Sequence, residues 1–215
     1  MKKAIMNLAV ALVGLFGTTS ANATVYFQSD FNGLLPSTTV INGGLLSLGA
    51  YGEPANWGIV RDNALTIYGG QAHNGANSGA ISGLATDLAN GLTLLRMTGQ
   101  YKTFPAYDNT PWNRSAEIGW QNVEWYSNYN SIVVTNPTSD WVDFTLDLDL
   151  SGLATDVAHI NMIQANFYVA GTAPGDFHVD NLKIETISSV PEPSVASLLG
   201  FGVLGLVATR FRRRS

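Results

Sequence analysis

The chain has 215 residues and no cysteine. That excludes disulfides, thiolate metal sites and a thiol nucleophile, and it excludes an N-terminal lipid anchor, which needs a cysteine at the cut. Charge is scarce too, at 13% of residues, and positive charge is scarcest in the middle. Lys2 and Lys3 stand at the front, and Arg210, Arg212, Arg213 and Arg214 at the end. Residues 24–189 keep only Arg61, Arg96, Lys102, Arg114 and Lys183 against every acid but Glu192. A surface this acidic repels nucleic acid and anionic lipid and attracts calcium. The same stretch lacks a sustained 3.6-residue periodicity and any internal repeat. It has no Gly-x-Ser-x-Gly, no Gly-x-Gly-x-x-Gly and no Walker loop. His73, His159 and His178 stand alone, outside metal-ligand spacing. No catalytic residue is expected, and no cofactor is expected to be required.

Both ends read as targeting segments. Met1-Lys2-Lys3 precedes an apolar stretch from Ala4 to Gly17, broken by Asn7, and then Ala21-Asn22-Ala23. This order is that of a secretory signal peptide, residues 1–23, cleaved before Thr24. At the other end Val190-Pro191-Glu192-Pro193 leads into 16 uncharged residues, Ser194 to Thr209, and then the arginine cluster. Prolines can precede a helix but not continue one. A helix of that length spans roughly 24 Å against the ~30 Å hydrocarbon core. Phe211 and snorkelling arginines would extend the span. The expectation is a transmembrane helix with Arg210, Arg212, Arg213 and Arg214 held on the cytoplasmic side.

Pro-Glu-Pro, a short apolar helix and an arginine cluster at the extreme C-terminus resemble the PEP-CTERM sorting signal, also known as the ice-binding protein C-terminal domain. The resemblance covers residues 190–215. It implies recognition by an exosortase-type membrane protease-transferase of Gram-negative bacteria that make exopolysaccharide. Pro191, Glu192 and Pro193 would then be the recognition motif, as substrate residues. The remaining body has no regular Thr-x-Thr array, so ice binding itself is not expected.

The body, residues 24–189, has a length that suits one domain. Strands are expected at Thr24–Phe27, Ala64–Tyr68, Leu92–Phe104, Ser115–Gln121, Asn130–Thr135, Trp141–Leu150, Ala158–Ala170 and Phe177–Ile187. Gly69–Asn77 reads as a polar loop and Ala80–Asn90 as a short helix or loop. In Trp141–Leu150 the period is two. Val142, Phe144, Leu146, Leu148 and Leu150 are expected inside, and Asp143, Asp147 and Asp149 outside. The last strand changes phase between Phe177/Val179 and Leu182/Ile184, which a β-bulge at Asp180-Asn181 would reconcile. Many strands divided by turn residues argue for an all-β, antiparallel β-sandwich.

Phe177-His178-Val179-Asp180-Asn181-Leu182-Lys183-Ile184 is similar to the closing strand of jelly-roll carbohydrate-binding modules. Phe27-Gln28-Ser29-Asp30-Phe31-Asn32-Gly33 is similar to their opening strand, with Asn32 where that family often carries Glu. The resemblance implies a jelly-roll-like sandwich whose first and last strands pair. Two readings of Asp180 stay open: a structural calcium, with Asp30 contributing from the opening turn, or a local bond from Asp180 to the bulge backbone.

Trp112 to Tyr129 is the candidate binding surface, because aromatic rings stack on sugar C–H faces while amides and acids bond hydroxyls. Trp112, Trp125, Tyr126, Glu117 and Gln121 are the candidate carbohydrate-binding residues, with Asn113, Arg114, Asn122, Asn128 and Tyr129 nearby. By strand alternation Trp120 shares a face with Ala116 and Ile118 and reads as core, with Glu117 and Gln121 on the other face. His159 and His178 read as structural groups in strands. The expected role is an exported, non-enzymatic envelope or matrix protein, partnered by an exosortase-like enzyme and by extracellular polysaccharide. The alternative is a secreted carbohydrate-active enzyme, for which Glu117 and Glu124 would be the carboxylate pair.

Overall fold

A computed structural model describes residues 23–36, 38–52, 58–69, 74–105, 115–124, 128–138, 140–153, 157–170 and 175–188. Of the two expected targeting segments only Ala23 is among these residues; residues 1–22 and 190–215, Pro191–Pro193 and Arg210–Arg214 included, lie outside them. Among the described residues, no helix is long and apolar enough to cross a membrane.

Among the described residues twelve strands run in chain order: β1 (Thr24–Ser29), β2 (Val40–Asn42), β3 (Ser47–Tyr51), β4 (Val60–Arg61), β5 (Ala64–Gly69), β6 (Asn74–Asn77), β7 (Leu94–Pro105), β8 (Ser115–Asn122), β9 (Asn128–Val134), β10 (Val142–Asp149), β11 (Ile163–Ala170) and β12 (Gly175–Ile187). They form two six-stranded antiparallel sheets. The first has the order β10-β7-β12-β5-β4, with β1 on β12, and the second β2-β3-β6-β11-β8-β9. Their inner faces share one core within the unit Ala23–Ser188. Phe27, Leu48, Leu65, Ile67, Ile118, Trp120, Phe167 and Phe177 are fully buried in it. The expected antiparallel sandwich is what the chain builds. Trp120 is core, and its indole Nε1 donates to the Leu146 carbonyl at 3.3 Å, tying β8 to β10.

β12 is the axis of the first sheet. One flank pairs with β7 along its length, while the other takes β5 over Gly175–Val179 and β1 over Leu182–Thr186. The expected bulge is present: the β7 register jumps between Asp180 and Lys183, so Asn181 and Leu182 together face Gly99. Asn181 has φ 50°, the left-handed region that asparagine tolerates better than most residues. The extra residue resets the alternation, and Phe177, Val179, Leu182 and Ile184 are all fully buried. Gly99 is required opposite, because a Cβ there would lie 2.9 Å from the Asp180 carbonyl oxygen and 3.0 Å from the Phe144 ring.

Several local expectations are corrected. Gly69–Asn77 is not all loop, since Asn74–Asn77 forms β6 between β3 and β11. Its Asn-Gly-Ala-Asn composition looks like a turn, and two flanking strands override that propensity. The segment from Ala158 begins as a helical turn, Val157–Ile160, so His159 lies in a helix and not a strand. Val142 is 37% exposed because β10 enters the sheet at the sandwich rim, whereas Phe144, Leu146 and Leu148 are buried as expected. Asp143 and Asp149 are exposed, but Asp147 is half-buried beneath a bidentate pair with Arg96, both bonds 2.7 Å.

The Leu84–Ala89 helix is held by one carboxylate. Asp87 is buried and accepts from Tyr26 Oη at 2.7 Å, Thr24 Oγ1 at 3.1 Å and the Thr186 hydroxyl. Burial first, then the bond to Asp87 and its charge, push the Tyr26 phenol well above the usual tyrosine range. Tyr26 and Thr186 are themselves buried, so removing the acceptor strands two hydroxyls away from water. Asp87→Ala should therefore cost about 3 kcal/mol, a fall of roughly 6–12 °C in melting temperature. Tyr26→Phe should cost less than half as much. Calorimetry on the two variants checks this, and an unchanged Asp87→Ala transition would refute the anchoring role.

Candidate functional site

The two outward faces of the sandwich differ in chemistry. On the first sheet, charges neutralise one another. Arg96 pairs with Asp147, Lys183 Nζ lies 2.7 Å from Glu185, and Gln100 donates to Asp143 at 2.8 Å. At its other end Asp176 sits between Arg61 Nη1 at 3.5 Å and the buried His178 Nε2 at 3.8 Å. The outward face of the second sheet instead carries amides, phenols and glycines.

Strand register orders that face into rows running across the strands. One row reads Tyr51, Gly75, Tyr168, Glu117, Val133 across β3, β6, β11, β8 and β9. The next reads Gly49, Asn77, Asn166, Gly119, Ser131, and a third begins Gln164, Gln121, Asn128. The middle row is built of small and amide side chains between taller neighbours, so it forms a trough. Five strands at ~4.8 Å spacing make that trough roughly 19 Å long. The cleft measures about 470 Å³ and is lined by Tyr51, Asn77, Glu117, Gln121, Asn128, Asn166 and Tyr168. That lies within the usual range for small-molecule sites.

Internal bonds hold the cleft in shape. Tyr51 Oη donates to Asn166 Oδ1 at 3.0 Å, so the phenol reaches from β3 across β6 to β11. Gly75 makes this approach possible, because a Cβ there would lie 2.2 Å from the Tyr51 oxygen. Gln164 Nε2 donates to Gln121 Oε1 at 3.1 Å, and Asn128 Nδ2 donates to Glu117 Oε1. Asn166, 4% exposed, is the floor. The arrangement offers ring faces and preset amide donors and acceptors to a ligand rich in hydroxyls.

Of the residues expected from sequence, Glu117 and Gln121 line this cleft, and so does Asn128 from the same candidate surface. Trp112, Trp125 and Tyr126 lie outside the described residues, as do Asn113 and Arg114. Asn122 turns inward, with its amide on Tyr129 Oη at 3.2 Å and on the Glu124 backbone N–H, which donates at 2.8 Å. Glu124, in the turn after β8, is not among the lining residues. Tyr51, Asn77, Asn166 and Tyr168 went unrecognised in the sequence. In β11 a signal existed: Gln164, Asn166 and Tyr168 occupy the phase opposite Ile163, Ala165 and Phe167. In β3 and β6 the strands are too short and too glycine-rich to show a phase.

Ser29 pairs with Leu182, which brings the segments of Asp30 and Asp180 together at one corner of the first sheet. Burial first, and also the charge of Asp30, raise the Asp180 carboxyl, while the Asn181 N–H at 2.7 Å opposes the shift. Asp30 is held low by its bonds from Asn32. A raised carboxyl favours the folded state below its ordinary pKa, and the advantage is lost as pH rises through the raised value. Gln28, Ser29, Asp30, Thr98, Asn181 and Lys183 line a more open depression beside it, where Lys183 is already paired with Glu185. Among the described residues, no group of three or more His, Cys, Asp or Glu side chains is placed to hold a metal.

No protein-family model matches the chain, and no curated protein matches it. Similar solved structures are carbohydrate-binding modules. One is the CBM22-1 xylan-binding domain from Paenibacillus barcinonensis Xyn10C, at 12% identity and TM-score 0.41, covering 78% of this chain and 97% of that one. Another is a CBM29-2 mutant complexed with cellulohexaose, at 19% identity and TM-score 0.40, covering 80% and 95%. A third, described under CBM4 structure and function, has 14% identity and TM-score 0.40, covering 58% and 84%. At these scores the likeness carries nothing about this chain's ligand.

Proposed function

We propose that this chain is an exported, non-enzymatic protein of the cell envelope or extracellular matrix whose second sheet binds extracellular polysaccharide. The observation that carries the reading is the cross-strand cleft. Tyr51 and Tyr168 stand in one row beside Asn77, Asn166, Gln121 and Asn128, all oriented by bonds or register before any ligand arrives. Preset donors and rigid rings reduce the ordering cost of binding. Among the described residues the lining holds one carboxylate, Glu117, whereas glycoside hydrolysis ordinarily uses two that flank the bond. That favours binding over the alternative of a carbohydrate-active enzyme. Trp112 and Trp125 remain proposed platforms, three residues before Ser115 and three after Asn122 in sequence.

Tyr51→Ala and Tyr168→Ala should each weaken polysaccharide retention by about 1–2 kcal/mol, roughly 5- to 30-fold. Affinity electrophoresis measures this, with melting curves as control. Unaltered retention in both variants would remove the cleft from consideration.

Export and sorting complete the proposal. Residues 1–23 direct secretion, Pro191–Pro193 are read by an exosortase-like enzyme, and Arg210 to Arg214 hold the tail on the cytoplasmic side until it is cut. Glu192→Ala should leave an unprocessed precursor in a strain with an intact exosortase, visible as a larger band. Normal processing of that variant would refute the motif.

A structural calcium at the Asp30–Asp180 corner belongs to the same proposal, supported by two carboxylates near enough for the charge of one to act on the other, in an acidic body. Two carboxylates are a minority of the six to eight oxygens calcium takes, so backbone and water oxygens would complete the set. Millimolar calcium should raise the melting temperature over excess chelator, and Asp180→Ala should abolish the rise. Coincident curves in the unsubstituted protein would eliminate the site.

A further inference from the structure

We propose that the cleft selects uncharged sugar chains and rejects acidic ones, a specificity that rests on the polysaccharide-binding reading above. The ground is how the two sheets divide the charges. Every lysine and arginine among the described residues lies on the first sheet: Arg61 in β4, Arg96 and Lys102 in β7, and Lys183 in β12. Among the described residues the second sheet carries none. Its cleft has one ionisable carboxylate, Glu117, which is half-buried and held in place by the Asn128 amide.

A glycan carboxylate, sulfate or phosphate lying in the trough would approach Glu117 with no cation of the second sheet's described residues to answer it. Proximity to the sheet weakens solvent screening, so like-charge repulsion there is stronger than on open surface. The body's surplus of acids adds a long-range term of the same sign. A chain of neutral hydroxyls meets no such cost. Asn77, Asn166, Gln121 and Asn128 offer both donors and acceptors, which suits hydroxyls that are themselves both. A polymer bearing ammonium groups would instead be drawn to Glu117, but a single carboxylate already engaged by an amide gives it one contact in the length of the trough.

Affinity electrophoresis of the full chain in detergent tests this, with glucomannan and laminarin as neutral probes, alginate and polygalacturonate as acidic ones, and chitosan as the amine. Retention by a neutral probe that persists from 50 to 500 mM salt, with no retention by the acidic pair, is the expected result. Glu117→Gln should raise acidic relative to neutral affinity about tenfold. Retention by alginate or polygalacturonate alone would overturn the charge selectivity while leaving polysaccharide binding intact. Acidic retention abolished by Arg114→Gln would do the same and assign it to that arginine. Chitosan retained alone would also overturn it. Retention by none of the five would sink the binding reading and this one together. The unsubstituted protein decides the matter even if the Glu117 variant fails to fold.

Discussion

The bulge in β12 is the constraint on which the first sheet depends. A strand of regular alternation could not bury Phe177 and Val179 as well as Leu182 and Ile184. Placing Asn181 and Leu182 together against Gly99 uses one extra residue to change phase, and both pairs then reach the core. The same change lets one long strand serve two neighbours end to end, β5 before the bulge and β1 after it. Pairing of the first strand with the last follows from this, as does the approach of the Asp30 segment to that of Asp180. Gly99 belongs to the device, since any side chain there would meet the carbonyl that the bulge turns toward it.

The anchoring of the Leu84–Ala89 helix follows from that closure. Thr24 and Tyr26 come from β1 and Thr186 from β12, and they converge on Asp87 only because those two strands pair. A buried carboxylate is costly unless its lone pairs are filled, and here three hydroxyls fill them. The hydroxyls come from residues far apart in sequence, so the network forms only after the sheet has formed.

The division of labour between the outward faces is a matter of neutralisation. The first sheet pairs Arg61, Arg96 and Lys183 with its own acids, and these ion pairs leave little for a partner to exploit. The second sheet keeps its outward face almost free of charge and supplies rings and amides in their place. Register then decides which of these stand together. Tyr51 and Tyr168 come from strands separated by β6, and only because β6 places Gly75 between them does the Tyr51 phenol extend to Asn166.

Residue order alone determined the sheet-forming character of the body, the inward set Phe144, Leu146 and Leu148, and the phase change in the last strand, because period two and its interruption are local properties of the chain. It also placed Glu117 and Gln121 on one face and Trp120 on the other, by the same alternation. The rest of the cleft was not legible there. β6 has the composition of a turn and becomes a strand only between β3 and β11, and Val142 has an inward phase yet lies at the rim. Tyr51, Asn77 and Asn166 are brought to Glu117 by cross-strand pairing between segments far apart in the chain. Such pairing is set by how two whole sheets pack, which no window of sequence contains, and so the tertiary structure alone decided which residues share the cleft.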